Sequence, residues 1–241
     1  MTTLISPLKS DRLLQSIALE YPSLSQWEIA TWEDYLSHRN SSKDERIKLY
    51  YYQNQLLIQM GKEGINHACI SDLFIMLFAF WFAQHPEKIL NTYGGCLLEK
   101  PPKRSGAADL VVYLGEDYPK WQEGESRYIN LDQWRVPNLV GEISDTTLAT
   151  DLDEKKHLYA DLKIPEYWVI DVQAQRVFAF QLQENGIYQE CESSLALKGL
   201  PISILEETLT HLDRETNSSA ANWFAQQIST LPTVQKLKNN N

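Results

Sequence analysis

Between residues 138 and 171 the sequence reads strand, helix, strand: NLVGEIS, then LATDLDEKKHLYADLK, then EYWVID. The outer runs are short and apolar and the middle one has helical length. They predict a strand at Asn138–Ile143, a helix from about Leu148 to Lys163 and a strand at Glu166–Asp171. A hairpin follows, with strands at Arg176–Gln183 and Ile187–Glu190. This succession is an α/β (α+β) pattern.

The helix carries its charge in an unexpected place. With Asp151 set at 0° and about 100° per residue, Leu158 falls near 340°, Leu162 near 20°, Tyr159 near 80° and Leu152 near 100°. Lys155 falls at about 40°, inside that apolar arc. An inward lysine costs several kcal/mol of desolvation unless an anion or a wet cleft meets it. Two readings follow. Asp151, four residues earlier, forms a semi-buried pair that anchors the helix, or Lys155 points into a cleft that holds other acids.

Two acids are candidates for that cleft, Asp109 in AADLVVYL and Glu142 in NLVGEIS, each set in an apolar strand where such residues are depleted. A single acid at a strand start is more often a cap or an edge residue. Two of them beside an inward lysine make a set suited to phosphodiester hydrolysis. Mg²⁺ or Mn²⁺ is held by one or two carboxylates and keeps open positions for water and phosphate. A lysine there offsets the charge that grows in the transition state.

The rest of the chain supplies a frame. IKLYYYQNQLLIQM predicts two paired strands around Gln53-Asn54, with a turn at Gly61 to Gly64. Residues 65–84 are apolar on nearly every face, so that helix needs cover from its own sheet or from a partner subunit, which makes a homodimer an expectation. Its longest apolar run, Leu73 to Ala83, has 11 residues where a bilayer needs about 20. It reads as a buried helix, and no membrane partner is expected.

Strands at Ile89–Leu98 and Ala107–Leu114 flank a Pro-Pro and Ser-Gly loop. Residues 115–136 form a long connection carrying Tyr118, Trp121, Tyr128 and Trp134, which either pack on their own domain or stack on bases. Residues 1–42 read as a helical N-terminal extension, 43–210 as the main domain, and 211–241 as a C-terminal helix around Trp223-Phe224 with a frayed tail.

A formal charge of −10 opposes approach to phosphate, so a nucleic-acid binder of this composition needs a local basic patch. Lys100, Lys103 and Arg104 in EKPPKRSG are the candidates, against the plainer reading of a solvated loop. The cysteines at 69, 96 and 191 are odd in number and lack C-x-x-C spacing, which argues against a disulfide framework or structural zinc. No signal core opens the sequence, and a cytoplasmic setting is expected.

The segment PNLVGEISDTTLATDLDEKKHLYADLKIPEYWVIDV, at 137–172, resembles the Uma-two family of restriction endonucleases, a branch of the PD-(D/E)XK nuclease superfamily. The resemblance runs from about residue 45 to 210. It implies a restriction-endonuclease-like central mixed sheet flanked by helices, with Asp109 and Glu142 as metal ligands. The parent superfamily places its lysine two residues after the second acid, where this chain has Ser144. In this branch the lysine is moved to the following helix, and the matching residue is Lys155.

Three departures stand out. Ala108 replaces the usual proline, and the usual Glu-x-x-Ser spacing is shortened to Glu142-Ile143-Ser144, which bears on how the loop enters the helix. The upstream GKEGINHA adds Glu63 and His67 as secondary candidates beside Ser144, Asp151 and Tyr159. Glu166, Tyr167 and Trp168 also match, as packing or supporting residues. The activity implied is a Mg²⁺- or Mn²⁺-dependent endonuclease acting on DNA. The alternative is a catalytically silent nuclease-fold module that binds protein or nucleic acid or oligomerises.

Overall fold

The computed structural model describes residues 26–41, 47–60 and 64–231. In chain order the elements are β1 (Glu28–Ile29), α1 (Trp32–Ser41), β2 (Ile47–Tyr52), β3 (Gln55–Met60), α2 (Ile65–Ala83), β4 (Leu90–Lys100), β5 (Arg104–Leu114) and β6 (Ile129–Asn130). There follow β7 (Leu139–Ser144), α3 (Leu148–Leu152), α4 (Glu154–Asp161), β8 (Glu166–Asp171), β9 (Arg176–Leu182), β10 (Tyr188–Glu190), α5 (Ile202–Leu212) and α6 (Asn217–Ser229). Among the described residues all strands join one mixed sheet in the order β1-β3-β2-β5-β7-β8-β9-β10, with β4 paired to β5 and β6 paired to β4.

The mixed α/β architecture follows from two kinds of local pattern. Gln53 and Asn54, both at positive φ, close the β2–β3 hairpin as the turn residues that tolerate that region best allow. β7 and β8 run parallel from Leu139↔Glu166 to Ser144↔Asp171, so the chain must cross over between them, and α3 and α4 make that crossing. The predicted single helix is broken: at Asp153 the backbone leaves the helical region (φ −119, ψ −88), and a second helix starts at Glu154. The shortened Glu142-to-Ser144 spacing leads into the short α3.

The sheet separates two apolar cores. On one side Leu73, Phe74, Leu77, Phe78 and Trp81 of α2 pack with α5, α6 and the strand residues Leu139, Trp168 and Ile170. Burying each of these large side chains stabilises the fold by about 1.5–3 kcal/mol. On the other side Leu158 and Tyr159 of α4 pack over Tyr50, Ala107, Val111, Val140 and Tyr167. By length and composition α2 matches a bilayer span, longer than its apolar run alone implied, yet those five side chains lie within the first core. Ile65 and Ile75 remain exposed.

Residues 26–41, read from the sequence as part of an extension, contribute a strand that pairs with β3 and a helix whose Tyr35 is fully buried. Arg39 donates to both oxygens of Glu99 at 2.8 and 2.6 Å, and Tyr35 donates to the same carboxylate at 2.6 Å. The connection 115–136 adds β6 to the sheet, and Tyr118 and Trp134 pack against the second core while Trp121 stays exposed. The helix around Trp223-Phe224 is present as α6; α5, just before it, has no counterpart among the elements predicted from sequence.

What positions the site is a fork in this sheet. β4 covers one side of β5 along its length, but the other side is shared: β2 meets it at Ser105, and β7 takes over from Leu110↔Gly141 to Val112↔Leu139. Both partners run antiparallel to β5 and so in the same direction, and the end of β7 meets the start of β2 head to tail near Asp109. On the β4 side the pairing steps from Gly94↔Leu110 to Cys96↔Ala108, and the intervening Gly95 sits at φ +61, a conformation that favours glycine.

Candidate active site

Asp109 lies at the fork and its carboxylate replaces the missing ladder. Oδ2 accepts the Ile143 backbone N–H at 2.8 Å, just where the pairing of β7 to β5 has ended. A buried N–H needs such an acceptor. His67, in the first turn of α2, brings Nε2 to 3.1 Å from the same oxygen, and Lys48 of β2 forms an ion pair with Oδ1. Burial pushes the Asp109 carboxyl up, but the His67 hydrogen bond and the Lys48 charge outweigh it and hold the group at about 2.

Glu142 follows from the register. Extending the β5–β7 pairing by one residue beyond Leu110↔Gly141 sets it opposite Asp109. It is 2% exposed, and Tyr159 donates to Oε1 at 2.6 Å while Tyr50 donates to Oε2 at 3.3 Å. Burial raises its carboxyl to about 7, against the opposing pull of the Lys155 charge.

Lys155 is 1% exposed and fills the space between strand and helix. Its Nζ lies 2.8 Å from Asp151 Oδ1, 3.3 Å from Glu142 Oε2 and 4.1 Å from the centre of the Tyr50 ring, and it donates to Gln59 Oε1 at 3.2 Å. Desolvation works against the ammonium, but the Glu142 and Asp151 charges prevail and raise its pKa. The two readings of Lys155 therefore coexist: it pairs with Asp151 on its own face, and it also reaches an acid of the strand.

Asp109, Glu142, Lys155, His67, Asp151 and Tyr159 thus converge in one connected cluster. Ser144 is also buried, at the end of β7, with its hydroxyl making no hydrogen bond among the described residues. Glu63 lies outside the described residues. The basic segment stands apart, since Arg104 is five strand residues from Asp109, about 17 Å along β5. Lys100 is ion-paired with Asp132, Arg104 Nη2 lies 2.9 Å from Asp161, and Lys103 is exposed.

Three members of the cluster escaped the sequence reading: Lys48, Tyr50 and Gln59, all from the β2–β3 hairpin. A signal existed. A hairpin centred on Gln53-Asn54 sets Lys48 across from Gln59, as observed, and alternation puts Lys48 and Tyr50 on one face. That places a polar pair on a face otherwise aimed at a core.

Comparison with known proteins gives a concordant picture. The family model for Uma2, described as "Putative restriction endonuclease", matches residues 32–216, well over half of the chain. Among solved structures, "a putative nuclease belonging to DUF820" from Anabaena variabilis ATCC 29413 superposes with a TM-score of 0.52 at 16% identity, over 74% of this chain and 98% of that one. The second likeness is one of fold. No curated protein matches the sequence.

Proposed function

Because this chain belongs to the Uma2 family of restriction-endonuclease-like proteins, we propose that it is a nuclease that hydrolyses DNA phosphodiester bonds with Mg²⁺ or Mn²⁺, at a centre formed by Asp109, Glu142 and Lys155. The observation that carries this reading is the buried Lys155 ammonium, 3.3 Å from the carboxylate of Glu142 at the fork where Asp109 also lies. A lysine kept there only to anchor the helix would need Asp151 alone.

The donor set suits a hard divalent ion. Asp109 and Glu142 offer carboxylate oxygens on neighbouring strands, and both carboxylates already face an ammonium group. Among the described residues no cluster of three or more His, Cys, Asp or Glu is poised to ligate a metal. Such an ion would therefore keep much of its water, as Mg²⁺ commonly does. When bound by Asp109 and Glu142, the ion supplies polarisation of the phosphate and a water of lowered pKa.

The protein's own groups do the positioning. Tyr159 fixes Oε1 of Glu142 and the Tyr50 hydroxyl, shared with the Ala107 carbonyl at 2.9 Å, lies 3.3 Å from Oε2, while His67 and the Ile143 amide fix Oδ2 of Asp109. Held this way, the carboxylates need little reorganisation as charge develops. Lys155 stays an ammonium 3.3 Å from Glu142, where its charge would offset negative charge gained by a phosphate bound beside that carboxylate. Contact with the nucleic-acid backbone falls first to exposed Lys103, because Lys100 and Arg104 are already ion-paired.

The test is nicking of supercoiled plasmid with Mg²⁺, Mn²⁺ or chelator, comparing wild type with Asp109→Ala and Lys155→Ala. Metal-dependent nicking lost in both variants is expected; equal rates in all three proteins would overturn the assignment.

A further inference from the structure

Lys48 has no part in the reaction outlined above, yet it sits on one of its central carboxylates. Lys48 is held by partners, as Lys155 is, but it is the more exposed of the two. The Lys155 side chain is 2% exposed and is tied to Asp151, Glu142 and Gln59, so it has no alternative position that keeps its charge solvated. The Lys48 side chain is 15% exposed and enters from the start of β2 at the fork. Four flexible carbons carry its charge, and water is within reach.

The two oxygens of Asp109 differ in the same way. Oδ2 is held by a backbone N–H of β7 and by an imidazole on α2, both fixed by the fold. Oδ1 is held by the lysine. Only that oxygen can change partners without moving an element of secondary structure. The cluster also requires a cation there at rest, because a buried carboxylate without a counter-charge costs several kcal/mol. Lys155 makes its contacts with Glu142 and Asp151 and reaches Asp109 only through its longer-range charge, whereas Lys48 touches Oδ1.

We propose that Lys48 is an exchangeable counter-ion: it neutralises Oδ1 of Asp109 in the resting protein, yields that oxygen to the divalent cation, and turns its freed ammonium to a backbone phosphate of the nucleic acid. Two positive centres a few Å apart in a buried site repel strongly, so arrival of the ion and departure of the lysine are coupled. The lysine leaves as the phosphate arrives, and the site keeps its charge balance. This inference rests on the nuclease reading, but it concerns ion binding and has a readout that does not need cleavage.

The experiment is a Mg²⁺ titration of full-length wild-type protein labelled with ¹⁵N-lysine, with the Lys48 ammonium signal assigned by its loss in Lys48→Gln. The Lys48 signal is expected to shift and to exchange faster with solvent as Mg²⁺ is added, while the buried Lys155 ammonium stays protected from exchange. In calorimetry, Lys48→Gln should bind Mn²⁺ roughly tenfold more tightly than wild type, since one positive charge beside the ligand oxygen is gone.

A Lys48 signal that does not respond at saturating Mg²⁺ would overturn the proposal, and so would equal or weaker Mn²⁺ binding by folded Lys48→Gln. Absence of ion binding by both proteins would overturn it too. If Lys48→Gln does not fold, titration of the wild type still decides, with Lys48 assigned through its neighbours. Plasmid nicking that persists after any of these failures would leave the nuclease reading intact and remove only the role of Lys48.

Discussion

Glu142 and Glu166 belong to neighbouring parallel strands, β7 and β8, and both are buried acids that burial pushes above the ordinary carboxylate range. Their surroundings differ. Glu166 accepts the Trp168 indole N–H at 2.7 Å, the Ser194 hydroxyl at 3.2 Å and the Ala196 backbone N–H at 2.6 Å. All are neutral donors, and those of Ser194 and Ala196 pin the loop after β10 to the sheet. Glu142 instead faces an ammonium and two phenols, beside a second carboxylate, and nearby the hydroxyl of Ser144 and the amide nitrogen of Gln59 have no hydrogen bond among the described residues. A buried acid in a strand is therefore not a site by itself. What distinguishes Glu142 is charge that other charge balances, beside polar groups left unsatisfied.

The contrast can be attacked from both sides. The largest effect is expected from Lys155→Met, which strands Glu142 and Asp151 without their shared cation and should destabilise the fold by about 3–5 kcal/mol, read from denaturant unfolding at pH 8. A loss below 1 kcal/mol would show that water enters the site and that the cluster is no more charged in effect than the Glu166 cluster.

Acid titration comes next. Asp109 is held at about 2, below its ordinary 3.8. The stability it contributes is complete above 3.8 and is lost as pH falls through about 2. That loss is about 2 kcal/mol, and Asp109→Asn should abolish it. Glu142 has the opposite sign. Its folded value of about 7 exceeds the ordinary 4.5, so its contribution is complete below 4.5 and is lost as pH rises through about 7.

The smallest effect belongs to the neutral cluster. Ser194→Ala removes one of several donors to Glu166 and should cost about 1 kcal/mol in thermal unfolding, with nicking unchanged. A drop in nicking by the folded variant would blur the distinction between the two acids.

Much of this was legible in the sequence because it depends on local pattern. The β2–β3 hairpin, the apolar α2 and the strands of Asp109 and Glu142 were read from alternation and turn residues. The inward Lys155 came from a helical wheel, though the helix that wheel assumed is broken at Asp153. The result held because Asp151 and Lys155 still meet across the break at 2.8 Å.

The fork was not legible. Which strands share an edge of β5 is decided by pairings between segments distant along the chain, Tyr51 with Ser105 and Leu110 with Gly141, and Gly95 opposite Asp109 gave only a faint sign of an irregular ladder. Lys48 and Gln59 were lost for the same reason: their partners Asp109 and Lys155 are 61 and 96 residues away along the chain. The basic loop was read by charge alone, whereas the fold supplies Asp132 and Asp161 to neutralise two of its three cations.

The most direct test of the central claim is the rate of Mg²⁺-dependent plasmid nicking by Glu142→Gln against Glu166→Gln, each first shown to be folded. If Glu142 is a working carboxylate and Glu166 a structural one, the first variant loses about 100-fold or more and the second stays close to wild type. Equal losses in the two variants, or full activity in Glu142→Gln, would contradict the account.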